Sequence, residues 1–238
     1  MAFPNPQRTS ASPLSASSLS ASSPSTGKFL LILLHGWGAN AKDVATMAPY
    51  LLPPEYPDTL SMLFPDAPFP HPMPGGFMWY NLPENYTFGH SPQGAIQEDL
   101  LQSRARLMDW LQGLESQTGI PLSRTILAGF SQGGAMTADV GTRLPLAGLM
   151  ILSGYLHDHL QPSSTDLPPI LQVHGRQDLV VPLVAAQQLR DRLTTLGAQV
   201  IYHELDMGHD IPLTVLELMQ SFIQNILQSG EKGTTEVL

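Results

Sequence analysis

The sequence predicts an α/β domain with a mainly parallel central sheet and helices on both faces. Three observations predict it. Short, almost continuously apolar runs recur along the chain, and stretches of helical period alternate with them. The 238 residues are 42% hydrophobic and 13% charged, enough apolar material for one sizeable core. Strands apolar along their whole length are those covered on both sides, as in parallel sheets joined by helical crossovers.

The elements follow in order. Strands are expected at Phe29–Leu34, Leu60–Phe64, Thr125–Ala128, Leu149–Leu152, Ile170–Val173 and Gln199–Tyr202. Asn40 with Asp43 three residues later marks a helix start, a variant of the capping box. Helical stripes run through Ile96, Leu100, Leu107, Leu111 and Leu114, through Val184, Leu189, Leu193 and Leu196, and through Val215, Leu218, Met219, Phe222, Ile223 and Ile226. Gly197 is placed to end the second as a C′ residue. Residues 65–94, rich in Pro, Gly and aromatics, carry no period; so long a loop is usually functional, and it is read as helping to shape a cleft.

The domain is expected to span residues 28–228, with a flexible tail at 229–238. Residues 1–27 are Ser, Ala and Pro with little to bury, and are expected to be disordered. That stretch is Ser-rich and acid-poor like a transit peptide, but it has a single Arg before Lys28 and no amphipathic period.

Composition also excludes function classes. A formal charge of -9 and a pI near 5.2, with no run of five like charges, argue against a nucleic-acid partner. With no Cys there is no disulfide, thiolate nucleophile or Cys-ligated metal, which fits a reducing, cytoplasmic location. FLLILL and LAGLMIL, the longest apolar runs, fall well short of the roughly 20 residues of a membrane span.

The chemistry centres on GFSQGG at 129–134. Ser131 follows a predicted strand and precedes a segment able to be a helix, the context a nucleophile elbow requires. Gly129 and Gly133 stand where a Cβ would crowd the turn. A serine hydroxyl needs a base. Of eight histidines, His209 lies in DMGHDIP, after the last strand and before the last helix, in the chain order Ser…Asp…His. His35 and His174 each precede Gly at a strand end and read as loop-shaping. The acid is assigned to Asp178 in HGRQDLVVP, just past a strand, with Asp206 as second choice. The anion site calls for two backbone N–H groups. Gln132 supplies one, and Trp37, between Gly36 and Gly38, supplies the other.

HGWGAN, GFSQGG, HGRQD and MGHDI, in this order and spacing, resemble the phospholipase/carboxylesterase family of α/β-hydrolases, which includes acyl-protein thioesterases. The resemblance covers roughly residues 28–228. It implies an α/β-hydrolase fold with little or no lid domain, a triad of Ser131, Asp178 and His209, and oxyanion donors at Trp37 and Gln132. Thioesterase members show HGLGD where this chain has HGWGAN, a departure that keeps the main-chain donor. MWYNLP at 78–83 resembles an aromatic element of the family.

The expected function is therefore hydrolysis of carboxylic esters, with thioesters or lysophospholipids as the alternative, on a small-molecule or lipid-like substrate. No metal and no organic cofactor is called for. Trp37, Trp79 and Tyr80 are candidates for lining the substrate pocket, and equally for core. Two rival readings are a slow-turnover ligand-binding protein on the same scaffold and a metal site at His157, Asp158 and His159. Acyl chain length and oligomeric state are not specified by these patterns.

Overall fold

In FLLILL, successive side chains face opposite ways, and every one of the six is buried. The chain must therefore cover this strand on both sides. The structure, a computed structural model, describes residues 16–19, 28–53, 56, 58–83, 86–88, 95–157 and 160–235. Its strands are β1 (Ala16–Leu19), β2 (Phe29–Leu34), β3 (Leu60–Pro65), β4 (Phe69–Pro70), β5 (Phe77–Met78), β6 (Thr125–Phe130), β7 (Gly148–Leu152), β8 (Ile170–Gly175) and β9 (Val200–Leu205). The helices are α1 (Ala41–Ala45), α2 (Ala48–Leu51), α3 (Ala95–Thr118), α4 (Gln132–Gly141), α5 (Leu183–Thr195) and α6 (Leu213–Thr235).

Strands pair in the order β1-β3-β2-β6-β7-β8-β9. In this seven-stranded sheet every pair is parallel except β1 with β3, while β4 and β5 form a separate antiparallel pair. One core joins Leu30, Ile32 and Leu34 to α3, α4 and α5; the other joins Phe29, Leu31 and Leu33 to α1, α2 and α6. Helices thus cover both faces, as the doubly buried strands require.

The chain leaves β2 toward β3 on one side and returns to β6 on the other, so the order reverses between β2 and β6. In open α/β sheets the crevice beyond the strand ends at such a reversal is the ligand site. Loops following β2, β6, β8 and β9 all open at this end of the parallel sheet.

Several local expectations hold for local reasons. The Asn40 side chain caps α1, accepting from Lys42 and Asp43, while the Asp43 carboxylate accepts the Asn40 N–H. Gly197 follows α5 with φ +88°. Others are corrected. Val184 belongs to the predicted stripe of α5 yet is exposed, because Ala185, Ala186, Leu189 and Leu193 form the buried face. Ile96, of which only the backbone is described, lies in the first turn of α3.

Within residues 1–27, read as disordered, Ala16–Leu19 forms the edge strand β1 against Leu63 and its neighbours. Backbone pairing asks for no apolar side chain, so a Ser-rich segment satisfies it; the remainder of 1–27 lies outside the described residues. Helix α6 also continues to Thr235, through most of the expected tail at 229–238, and residues 236–238 lie outside the description. At Gly230 a Cβ would stand 2.4 Å from the Phe29 ring, so the helix passes close over the start of β2.

A buried ion cluster ties α4 to α3. Asp139 is 2% exposed; its Oδ2 accepts from Arg104 at 2.7 Å and its Oδ1 from Arg143 at 3.2 Å. Burial by itself would raise this carboxyl, but the hydrogen bond and charge of His157 and the guanidinium of Arg104 outweigh it and hold the carboxyl well below its ordinary value of 3.8. A depressed folded-state value stabilises the protein above the unfolded value and is lost as pH falls through it. Stability of the wild type against urea should therefore fall progressively as pH drops below about 4. Asp139→Asn should be less stable at pH 7 and show a shallower acid dependence.

Candidate active site

Ser131 joins β6 to α4 at φ +55° and ψ −116°. For a non-glycine residue this is a strained conformation costing on the order of 1–3 kcal/mol, sustained only where the surroundings impose it. They do so here. The Ser131 N–H donates to the Leu152 carbonyl at 2.8 Å, and its own carbonyl accepts from Ala135 at 3.0 Å. Gly133 lies where a Cβ would come within 2.5 Å of the Leu34 carbonyl oxygen, and a Cβ on Gly129 would stand 2.2 Å from that of Gly133. The glycines around the serine let α4 start hard against β2.

The structure brings the three predicted side chains together. His209 Nε2 lies 3.0 Å from Ser131 Oγ, and Nδ1 lies 2.7 Å from Asp178 Oδ2. Asp178 is 7% exposed, and its Oδ1 accepts from the N–H groups of Val180 and Val181 at 2.9 and 2.8 Å. With Asp178 serving as acceptor throughout, Nδ1 of His209 carries the proton and donates it. Nε2 is left to accept from the serine hydroxyl. Asp206, the second-choice acid, instead pairs with Arg176 at 2.7 Å on the surface.

Around the loop after β2, the Gly38 N–H donates to Phe77 and that of Ala39 to Gly36. The Trp37 N–H between them has no acceptor among the described residues. Gln132, first residue of α4, has no intrahelical acceptor for its N–H either. His35 fixes this loop. The Ala67 N–H donates to its Nε2 at 3.0 Å, so Nδ1 holds the proton and donates to the Gly36 carbonyl at 2.7 Å. Burial lowers the pKa of this imidazole, consistent with that neutral form. His174, the other loop-shaping candidate, donates from Nε2 to the Val181 carbonyl at 2.9 Å, and burial likewise lowers its pKa.

A cleft of about 530 Å³ opens over Ser131 and His209, walled by apolar groups that include Trp37, Met47, Leu82, Phe88, Tyr155 and Val180. Leu82 and Phe88 come from the aperiodic loop, which does help shape the cleft. Trp37 lines it and is 42% exposed.

Trp79 and Tyr80 do not. Both are fully buried, because each spends its polar atoms on the framework. The Trp79 indole N–H donates to the His35 carbonyl at 3.0 Å, and the Tyr80 hydroxyl bonds Tyr155 and His157. His157, offered as a metal ligand, has both ring nitrogens engaged, by Tyr80 and by Asp139; Asp158, His159 and the loop residue His90 lie outside the described residues.

Sequence reasoning valued Gln132 for its N–H alone. Its fully buried side chain does more, accepting from the Trp79 N–H at 2.9 Å and donating to the Tyr80 carbonyl at 2.7 Å. That amide clamps the aromatic loop to the elbow. Only the polar residue beside Ser131 signalled it.

A parallel sheet with a serine on the strained turn after a central strand defines an α/β-hydrolase. The chain belongs to the phospholipase/carboxylesterase family, whose pattern matches residues 20–227. It is 28% identical over 220 residues to lysophospholipase-like protein 1 of Mus musculus, covering 87% of this chain and 90% of that one. It is 32% identical over 172 residues to acyl-protein thioesterase 1 homolog 2 of Dictyostelium discoideum, covering 67% and 74%. Among solved structures, esterase PE8 superposes with a TM-score of 0.76 at 28% identity, over 90% of this chain and 99% of that one. The protein is thus a hydrolase of the esterase and thioesterase type.

Gln132→Leu strands the Trp79 N–H and the Tyr80 carbonyl in the interior. Urea unfolding should register a loss of about 2–6 kcal/mol, since each of the two buried unpaired groups costs roughly 1–3 kcal/mol.

Proposed function

We propose that this protein hydrolyses neutral carboxylic esters with an apolar acyl group, through an acyl-enzyme on Ser131. The observation that carries the reading is the unbroken Ser131–His209–Asp178 relay at the floor of an apolar cleft. His209 Nε2 takes the Ser131 proton as Oγ attacks the acyl carbonyl carbon. The oxyanion is held by the N–H groups of Trp37 and Gln132, each such donor contributing about 10²–10³ in rate. Asp178 stabilises the imidazolium, which then protonates the departing alcohol. Water, deprotonated by the same imidazole, attacks the acyl-enzyme, and collapse returns Ser131 and releases the acid.

Among the described residues no Lys or Arg lines the cleft, whereas Asp43 and Asp210 do. This favours substrates without negative charge. Thioesters form the second reading, favoured by the names of the thioesterase relatives; the same attack serves both, with a thiol leaving in place of the alcohol.

Ser131→Ala should abolish turnover of p-nitrophenyl butyrate and labelling by a fluorophosphonate probe while leaving the circular dichroism spectrum unchanged. Retained turnover would sink the assignment. Against the butyrate, the hemiglutarate ester of the same phenol should be turned over at least about ten-fold less efficiently, the gap narrowing with salt as screening weakens the carboxylate repulsion. Equal rates at low salt would remove the charge argument.

A further inference from the structure

Among the described residues only two non-glycine residues have positive φ, and both end adjacent strands. One is Ser131. The other is Ser153, at φ +47°, just past β7. Strain of this kind persists where a particular placement is required. The start of α4 packs on the same turn: a Cβ on Gly134 would stand 3.1 Å from the Gly154 Cα and 2.9 Å from the Leu152 carbonyl oxygen.

The turn delivers Tyr155, which is 1% exposed yet lines the cleft. Its ring meets Phe88 edge to face at 4.8 Å and Tyr86 at 6.2 Å, so it anchors the aromatic wall contributed by the aperiodic loop. Behind the ring runs a buried chain of hydrogen bonds. The Tyr155 hydroxyl lies 2.5 Å from that of Tyr80, which lies 2.7 Å from His157 Nε2. His157 Nδ1 in turn lies 3.3 Å from Asp139 Oδ2.

The ends of this chain are asymmetric. Asp139, held ionised between Arg104 and Arg143, only accepts, so His157 Nδ1 carries a proton. A neutral imidazole then accepts from Tyr80, and Tyr80 from Tyr155; a protonated one reverses both donors. In either arrangement each link is made, and the neutral one also gives every hydroxyl proton an acceptor. An aspartate, an imidazole and two phenols are expensive to bury for packing alone. Leu or Phe would fill the same volume without the desolvation cost. What the chain supplies beyond volume is a fixed position for the Tyr155 ring.

We propose that Tyr155 is a specificity-determining residue of the acyl site, held in place by Tyr80, His157 and Asp139 as positioning residues. The inference rests on the ester-hydrolase reading above. An acetyl group on Ser131 is too short to use the wall that Tyr155 anchors, whereas a hexanoyl chain lies along it.

The test compares p-nitrophenyl acetate and hexanoate on the full-length wild type, Tyr80→Phe, Tyr155→Phe and the double variant, with fluorophosphonate labelling of each. Tyr80→Phe keeps the ring and removes the link. It should raise KM for hexanoate roughly 2–10-fold, the worth of one net hydrogen bond, while kcat changes less than KM and the acetate constants move less than either. Tyr155→Phe, which loses only the outer hydroxyl, should shift the hexanoate-to-acetate KM ratio by the same factor and carries the test if Tyr80→Phe folds poorly. The double variant should add nothing further, because both substitutions cut the same chain. A KM ratio unchanged in both variants, with Tm lowered and Ser131 still labelled, would make the chain purely structural and overturn the proposal; additive shifts would overturn it as well. Failure of the probe to label wild-type Ser131 would instead overturn the hydrolase reading beneath it.

Discussion

The backbone at Ser131 adopts a conformation that an L residue avoids, and much of the molecule is arranged so that it has no alternative. Holding φ at +55° there requires α4 to begin within contact of β2 and β7. That approach is open only because Gly129, Gly133 and Gly134 present no Cβ toward neighbouring carbonyls. The strain lifts the hydroxyl clear of the strand end and leaves the first N–H of α4 unpaired beside it.

Around that turn the supporting polar groups each settle one degree of freedom. His35 fixes the loop after β2 by accepting at one nitrogen and donating at the other. The Gln132 amide and the Trp79 indole fasten the aromatic loop to the elbow and to His35. Val180 and Val181 fix Asp178 through their N–H groups, and Asp178 fixes the tautomer of His209. The bonds made by His35, Gln132, Trp79 and the Val181 N–H are buried, so breaking any of those strands a partner away from water. The cleft is consequently hydrogen-bonded at its floor and lined by side chains from separate loops at its walls.

Legibility in the sequence tracked the range of the interaction. The Asn40 cap, the strand at Phe29–Leu34 and the helix end at Gly197 depend on neighbours within a turn or a strand, and residue type announces them. Ser131, Asp178 and His209 were readable because each sits on a loop after a strand, and a parallel sheet gathers such loops at one end. The pocket was less readable. Trp79 and Tyr80 have the composition of a cleft wall, and nothing local indicates that a glutamine at 132 and a histidine at 157 draw them inward. Val184 fits the apolar period of α5, but the start of that helix turns alanines, not valine, toward the sheet. The Ser-rich segment before Lys28 gave no apolar signal, since β1 is held by backbone pairing to β3.

By itself the sequence determined the α/β architecture, the order of its elements and the identity of the residues that meet over the sheet, because periodicity and turn chemistry are properties of contiguous residues. Only the tertiary structure decided which aromatics face the cleft, that the Gln132 amide clamps the aromatic loop, and that Asp139, His157, Tyr80 and Tyr155 form one chain. Those outcomes depend on the separation of residues that lie tens of positions apart along the chain. Such distances are set by how strands stack and helices close over them, and no local pattern encodes them.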